Sequence, residues 1–387
     1  MTIPVSVATS SELVGTKKQM VIKTILVLFL IALLPCASQA QARSVKDATG
    51  RQVVVPDSVD TVICSGSGCL RLLCYLQAQN KVVAVDTNEG KRKGRQARPY
   101  HLANPQFQKM PIFGEFRGFD NPEQILSLEP QPQVILKVWD GLGHDPVELQ
   151  EKTGIPVVAL SYGDLGPNRE QFYQTLRIMG QVVGKPKRAE EVVTFFTNSI
   201  EELRHLVQDV AETDRPTVFI GGVAKRGPHG LQSTEPGYPP FDFIKAKNVA
   251  YHPGLKGKQL SHADIAKEKI VELDPRYLFL DLTTLHMGEN AGGLNELRTD
   301  PAYRILSAVQ NDQVYGVLPY NWYNANFGSI LANAWFIGKT VYPEHFQDVD
   351  PTVKADEIYT FLVGRPVFKQ MDALFSNQVF RKVPVNE

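Results

Sequence analysis

Glu123-Gln-Ile-Leu-Ser-Leu-Glu-Pro130 and Glu268-Lys-Ile-Val-Glu-Leu-Asp-Pro275 read as one unit written twice, about 145 residues apart. Each is followed by a β-rich run, Val134-Ile-Leu-Lys-Val138 in the first copy and Tyr277-Leu-Phe-Leu-Asp281 in the second. Ile125, Leu126 and Leu128, like Ile270, Val271 and Leu273, fall at spacings that place apolar side chains on one face of a short helix. Each proline ends its helix, because it lacks an N–H and disfavours helix in the residue before it. The pattern is therefore helix, tight turn and buried parallel strand. The first copy carries two extra residues, Gln131 and Pro132, before its strand. Repetition of such a unit predicts two similar α/β lobes. Glu123 and Glu268 open the two helices at matching places without being needed for the apolar face. A carboxylate in a first helical turn is favoured by the helix dipole, so a structural role competes with a functional one.

At 387 residues the chain is long enough for two domains. Its 41 basic residues balance 41 acidic ones, so no global field recruits nucleic acid or an acidic partner. At the N-terminus, Lys17, Lys18 and Lys23 precede the uncharged apolar run 24–34, and small residues follow around Ala40 and Ala42. That is the layout of a cleavable signal peptide, residues 1–42, with Met20 an alternative start. A membrane span wants roughly 20 apolar residues, more than this run supplies. Pro35 before Cys36 makes a poor lipid-attachment site, so a soluble exported protein is expected. Cleavage leaves Cys64, Cys69 and Cys74. An odd number in an oxidising compartment leaves at least one free or paired between chains, and their spacing fits no zinc site.

The mature chain opens with a small hairpin around Thr49-Gly50. Strand 61–65, the turn Gly66-Ser-Gly68, helix 70–76 and strand 81–86 follow. This is most of a dinucleotide fingerprint, with Asp86 in the acidic place, but Arg71 stands where a third glycine would let helix and strand approach. Lys91-Arg-Lys-Gly-Arg95 is a basic loop, either solvated or facing an acidic ligand. Pro111-Ile-Phe-Gly-Glu-Phe-Arg-Gly-Phe119 joins aromatics to Arg117 just ahead of the Glu123 helix. Trp139 and Tyr162 come directly after strands, at the carboxyl ends that line the ligand crevice of an open α/β sheet.

Residues 169–183 and 188–210 carry apolar residues at helical spacing, with Gly184-Lys-Pro186 between them and no flexible linker. The expected organisation is an N-terminal lobe 43–165, linker helices 166–210 and a C-terminal lobe 211–387. In the second lobe, strand 217–222 delivers Lys225-Arg-Gly-Pro-His229, and strand 313–318 feeds the aromatic segment Pro319-Tyr-Asn-Trp-Tyr-Asn324.

Taken in order, these features resemble the substrate-binding proteins of ABC importers, specifically the helical-backbone class that binds ferric siderophores, haem and cobalamin. The matching residues run through Asp47-Ala-Thr-Gly-Arg51, Val55-Pro56, Thr61-Val-Ile63 and Lys81-Val-Val-Ala-Val-Asp86. They continue with both Glu units, Gly154-Ile-Pro-Val157, Met179-Gly180, Arg215-Pro-Thr-Val218 and Val314-Tyr315, covering nearly all of the mature chain. Loop 230–240 and the cluster Tyr320 to Tyr323 match no ligand-specific pattern. The resemblance implies two Rossmann-like α/β lobes joined by a long backbone helix, with the ligand cleft between them and little closure on binding. It also implies that Glu123 and Glu268 meet arginines of a membrane permease, one per lobe.

The expected function is that of a monomeric periplasmic receptor, not an enzyme, carrying a metal chelate such as a ferric siderophore and holding no cofactor or metal of its own. Arg117, Trp139, Tyr162, Arg226, Tyr238, Trp322 and Tyr323 are the candidate ligand contacts, with rings covering organic faces and guanidinium groups meeting anionic oxygens. Two rivals stand beside this reading. One is a free metal ion held by loop residues His144, His229, His252, His262 and His286, although none is paired at ligand spacing. The other is an exported Rossmann-type enzyme, for which no Gly-x-Ser-x-Gly and no paired-histidine helix is present.

Overall fold

The computed structural model describes residues 1–5, 42–90 and 97–385. Residues 6–41, which make up most of the expected signal segment, and the basic loop Lys91 to Arg95 lie outside the described residues.

Two strands, β1 (Ala42–Lys46) and β2 (Gln52–Pro56), form the expected antiparallel hairpin. Asp47 closes its turn by accepting from the Thr49 and Arg51 amides, both at 3.0 Å. The N-lobe sheet comprises β3 (Val62–Ser65), β4 (Val82–Asp86), β5 (Ile112–Glu115), β6 (Phe119–Asp120), β7 (Val134–Val138) and β8 (Val157–Leu160). Its order is β6-β5-β4-β3-β7-β8, parallel except for β6. All residues of β3, β7 and β8 are buried, as a parallel sheet covered on both faces requires.

In the C-lobe, β9 (Thr217–Gly221) and β13 (Tyr277–Asp281) are flanked by β11 (Lys247–Asn248) and β14 (Val314–Val317), all parallel, in the order β11-β9-β13-β14. A two-residue ribbon pairs β10 (Ser233–Thr234) with β12 (Ala263–Asp264). Between the sheets run helices Arg169–Val182 and Pro186–Leu206, turning at Gly184 with φ +71°. The second has 21 residues, about 31 Å at 1.5 Å per residue. Its buried face is Val192, Val193, Phe196, Ile200 and Leu203, and the first helix contributes Phe172, Leu176, Met179 and Val182.

A second connection ties the lobes. Helix Pro351–Val363 packs back against the N-lobe helices Cys69–Tyr75 and Pro99–Ala103. Arg188 joins this contact by donating to the Tyr75 carbonyl (3.1 Å) and lying 4.1 Å over the Phe361 ring, which stacks on Phe195 at 4.1 Å. One apolar core consequently includes Val62 and Leu72 of the N-lobe, Phe196 of the joining helix and Phe279 and Trp335 of the C-lobe.

The repeated units fold as helix, turn and strand, but their helices are shorter and less apolar than the spacing suggests. Pro122–Leu126 has five residues, and Lys267–Leu273 has seven. Only Ile125 and Ile270 are buried within them, and Leu126 is 42% exposed. Asn121 caps the first helix by accepting from the Gln124 amide (3.1 Å). In little more than one turn, Leu126 points about 100° away from its neighbour Ile125. Leu128 reaches the core from beyond the helix end. All three described cysteines are buried and unpaired, as small apolar side chains are.

Candidate functional site

The carboxyl edges of the two sheets face each other, and the segment after β14 shows it. Tyr320 to Asn326 leaves the C-lobe and reaches the ends of four N-lobe strands. The Tyr323 hydroxyl donates to Asp86 at the end of β4 (2.5 Å) and accepts from the Arg117 amide beyond β5 (2.9 Å). Asn324 donates to the Ser67 carbonyl after β3 (3.1 Å), and the Tyr162 hydroxyl after β8 donates to the Ala325 carbonyl (2.7 Å).

Arg71 holds this segment. Its side chain is fully buried, and all five guanidinium N–H donors are engaged. They go to the Asn326 side chain (2.9 Å), the carbonyls of Ala325 (2.9 Å), Trp322 (2.9 Å) and Tyr323 (3.1 Å), and the Tyr162 hydroxyl. The helix carrying Arg71 begins after Gly68, whose φ is +83°. A Cβ there would sit 2.4 Å from the Tyr162 ring and 2.9 Å from the Arg71 Nη1. The residue that breaks the dinucleotide fingerprint is therefore an interlobe tie. Asp86, the fingerprint's acid, is buried and also accepts from the Asn88 and Glu89 amides (2.9 and 3.0 Å). Burial, aided by the Glu89 charge, pushes its carboxyl up to about 7.

The candidate ligand residues divide into two groups. Tyr162, Tyr238 and Tyr323 spend their hydroxyls on protein. Tyr162 stacks on Phe327 (5.0 Å) and bonds across the lobes. Tyr238, 3% exposed, stacks on Tyr320 (5.7 Å) and accepts from Asn333 (3.1 Å), which makes it interior to the C-lobe. Arg117, Trp139 and Arg226 form the second group. Among the described residues, neither guanidinium lies within 4.0 Å of a carboxylate, and the Trp139 indole N–H is buried without a partner. Trp322 is held by its carbonyl on Arg71, with its ring edge-on to His286 at 5.5 Å.

Of the five loop histidines, only His229 and His262 come together, with rings 6.1 Å apart. His144 lies against Phe119, His286 is sandwiched between Phe375 and Trp322, and His252 is exposed. No group of three or more His, Cys, Asp or Glu that could hold a metal ion occurs among the described residues.

Lys137, on β7, is a residue that sequence reasoning counted only as part of an apolar strand. Fully buried, it pairs with Asp120 at 2.5 Å and donates to Ser65 (3.1 Å) and the Gly118 carbonyl (3.0 Å). It thereby fixes the Arg117 loop and the approach to the Glu123 helix on the strand ends. Lys137→Met leaves the Asp120 carboxylate buried and unpaired, and urea denaturation should show a loss of roughly 3–5 kcal/mol. Adding Asp120→Asn should recover much of it.

Glu123 and Glu268 are both exposed, and neither forms an ion pair among the described residues. Around Glu268 the lysines are already taken, Lys267 by Asp300 and Lys269 by Glu272, both at 2.7 Å. Beside Glu123 lies a groove of about 690 Å³ lined by Glu115, Phe119, Leu126, His144 and Lys152.

The family profile described as periplasmic binding protein matches residues 62–320. A molybdate-binding protein of Haemophilus influenzae, MolA, is 23% identical over 365 residues, covering 88% of this chain and 96% of its own. An iron-uptake system-binding protein of Bacillus subtilis is 22% identical over 50% of this chain and 54% of its own. Among solved structures, a periplasmic solute-binding protein of Veillonella parvula superposes with a TM-score of 0.65 at 16% identity, covering 88% of this chain and 97% of that one. These relatives are solute-binding proteins rather than enzymes, which removes the enzymatic rival. They imply export, and no helix among the described residues is long and apolar enough to cross a membrane.

Proposed function

The chain belongs to the periplasmic binding protein family of ABC transporters, and we propose that it carries an anionic iron chelate of the ferric siderophore type to an importer permease. The observation that carries this reading is that Arg117, after β5 of the N-lobe, and Arg226, after β9 of the C-lobe, form no ion pair with a carboxylate among the described residues. Free cations at the carboxyl ends of strands suit ligand oxygens bearing negative charge. Trp139, with its unpartnered N–H, and Trp322 add flat apolar surface for the organic part of a chelate. Glu123 and Glu268 are the groups through which the permease is engaged.

A second reading is favoured by the molybdate-binding relative, whose length this chain matches almost completely. A small oxyanion would use the same two arginines and leave the indoles idle. Native mass spectrometry and absorbance spectra of protein taken from its own periplasm separate the two. A coloured protein with a bound mass of chelate size is the expected result. A colourless protein carrying a tetrahedral oxyanion mass would overturn the chelate reading while leaving the receptor role intact.

A further inference from the structure

We propose that Tyr320–Asn326 is a latch over the ligand cleft, positioned by Arg71, and that it must release from the N-lobe for a ligand to enter. The proposal rests on the receptor reading above, in which a ligand is held between the lobes, but not on which ligand that is. The segment is built to move as a piece. Its base is tied within the C-lobe, where the Asn326 amide and side chain both donate to the Tyr320 carbonyl (2.8 and 2.9 Å). Asn333 fixes the strand end beneath it through the Leu318 amide and carbonyl (3.0 and 2.9 Å). Beyond that base, the tip is fastened to the N-lobe by Arg71, Asp86, Ser67, Tyr162 and the Arg117 amide. These are polar bonds, which water replaces more readily than it replaces buried apolar contact.

The rest of the interface cannot yield as easily. Two joining helices, the returning helix Pro351–Val363 and a continuous apolar core oppose a swing of whole lobes. A loop is the part left free to open. At the tip, Tyr323 (φ +52°) and Asn324 (φ +71°) are consecutive left-handed residues. Tyrosine adopts that conformation at a cost, so the latched backbone is held there by its bonds and relaxes when they break. Trp322, on the same loop, swings with it and would be set against the ligand as the latch closes.

Hydrogen–deuterium exchange and acrylamide quenching of tryptophan fluorescence test this on ligand-free protein, so a wrong ligand assignment does not affect the result. In Arg71→Met, amide exchange over 321–326 and the receiving turn 66–68 should rise tenfold or more, while β3, β7, β9 and β13 keep wild-type protection. Tyr323→Phe retains the ring and removes only the hydroxyl. It should expose the Arg117 amide to exchange, speed exchange over 322–325 and steepen acrylamide quenching of Trp139 and Trp322, with Trp335 silent in the core. Unchanged exchange over 321–326 in folded Arg71→Met overturns the latch, as does an increase spread evenly across both sheets. Should Arg71→Met not fold, Tyr323→Phe decides alone, and unchanged exchange and quenching there overturn it.

Discussion

Cells whose only copy carries Glu123→Ala together with Glu268→Ala are expected to lose uptake of the transported ligand, while the purified double variant binds that ligand with unchanged affinity. Both carboxylates are exposed, on separate lobes, and free of ion pairs among the described residues. A charge left unneutralised on a folded surface is available to a partner, and two set apart define an orientation as well as an attraction. Each single substitution should lower uptake less than the pair, and the residual uptake should fall further as salt rises, because exposed charges are screened over about 10 Å at 0.1 M. Thermal unfolding should barely change, since surface substitutions usually stay within about 0.5 kcal/mol. Uptake that survives the double substitution would return both residues to a helix-dipole role.

The second large effect concerns pH. Glu235 is buried in the C-lobe against the Tyr320 hydroxyl, to which it is hydrogen-bonded. Burial, reinforced by the charges of Asp281 and Asp164, pushes its carboxyl up to about 8 from an ordinary 4.5. A raised carboxyl binds its proton more tightly in the folded chain than in the unfolded one. Its contribution to stability is therefore complete below about 4.5 and is lost as pH climbs through about 8. Asp281, pushed up to about 6 chiefly by burial, acts in the same direction. At about 1.4 kcal/mol per unit, Glu235 alone should cost the protein on the order of 5 kcal/mol between acid and mildly alkaline solution. Glu235→Gln keeps an acceptor for Tyr320 without a titrating proton. Urea midpoints measured from pH 4 to pH 9 should fall steeply for the parent and more shallowly for this variant. Parallel curves would mean that Glu235 does not carry the dependence.

The two edges of the cleft differ in how visible they are in the amino-acid order. Trp139 and Arg226 could be singled out because each follows a recognisable strand, whose carboxyl end in an α/β sheet faces the crevice, and Arg117 because it sits in an aromatic- and glycine-rich connection. Tyr238 could be singled out as an aromatic residue on a long loop, yet its ring packs inside the C-lobe on Tyr320, a neighbour about 80 residues away in the chain. Arg71 gave the opposite impression. Locally it is a misplaced residue in a glycine motif, and its five partners lie mostly some 250 residues downstream. The signal that could have found it is an arginine inside a helix otherwise composed of buried apolar residues, since such a charge must have a dedicated set of acceptors.

Periodicity and punctuation alone determined the two α/β lobes, the parallel strands, the helical connection and the matching places of the glutamates that open both repeats, because each follows from residues within a few positions of one another. Tertiary structure alone decided which aromatic hydroxyls are spent on protein, that of the five loop histidines only His229 and His262 meet, that Lys137 needs Asp120, and that a C-lobe loop is fastened to the N-lobe by Arg71. Those outcomes depend on burial and on hydrogen-bond partners contributed by distant segments, and neither quantity exists until the chain has folded.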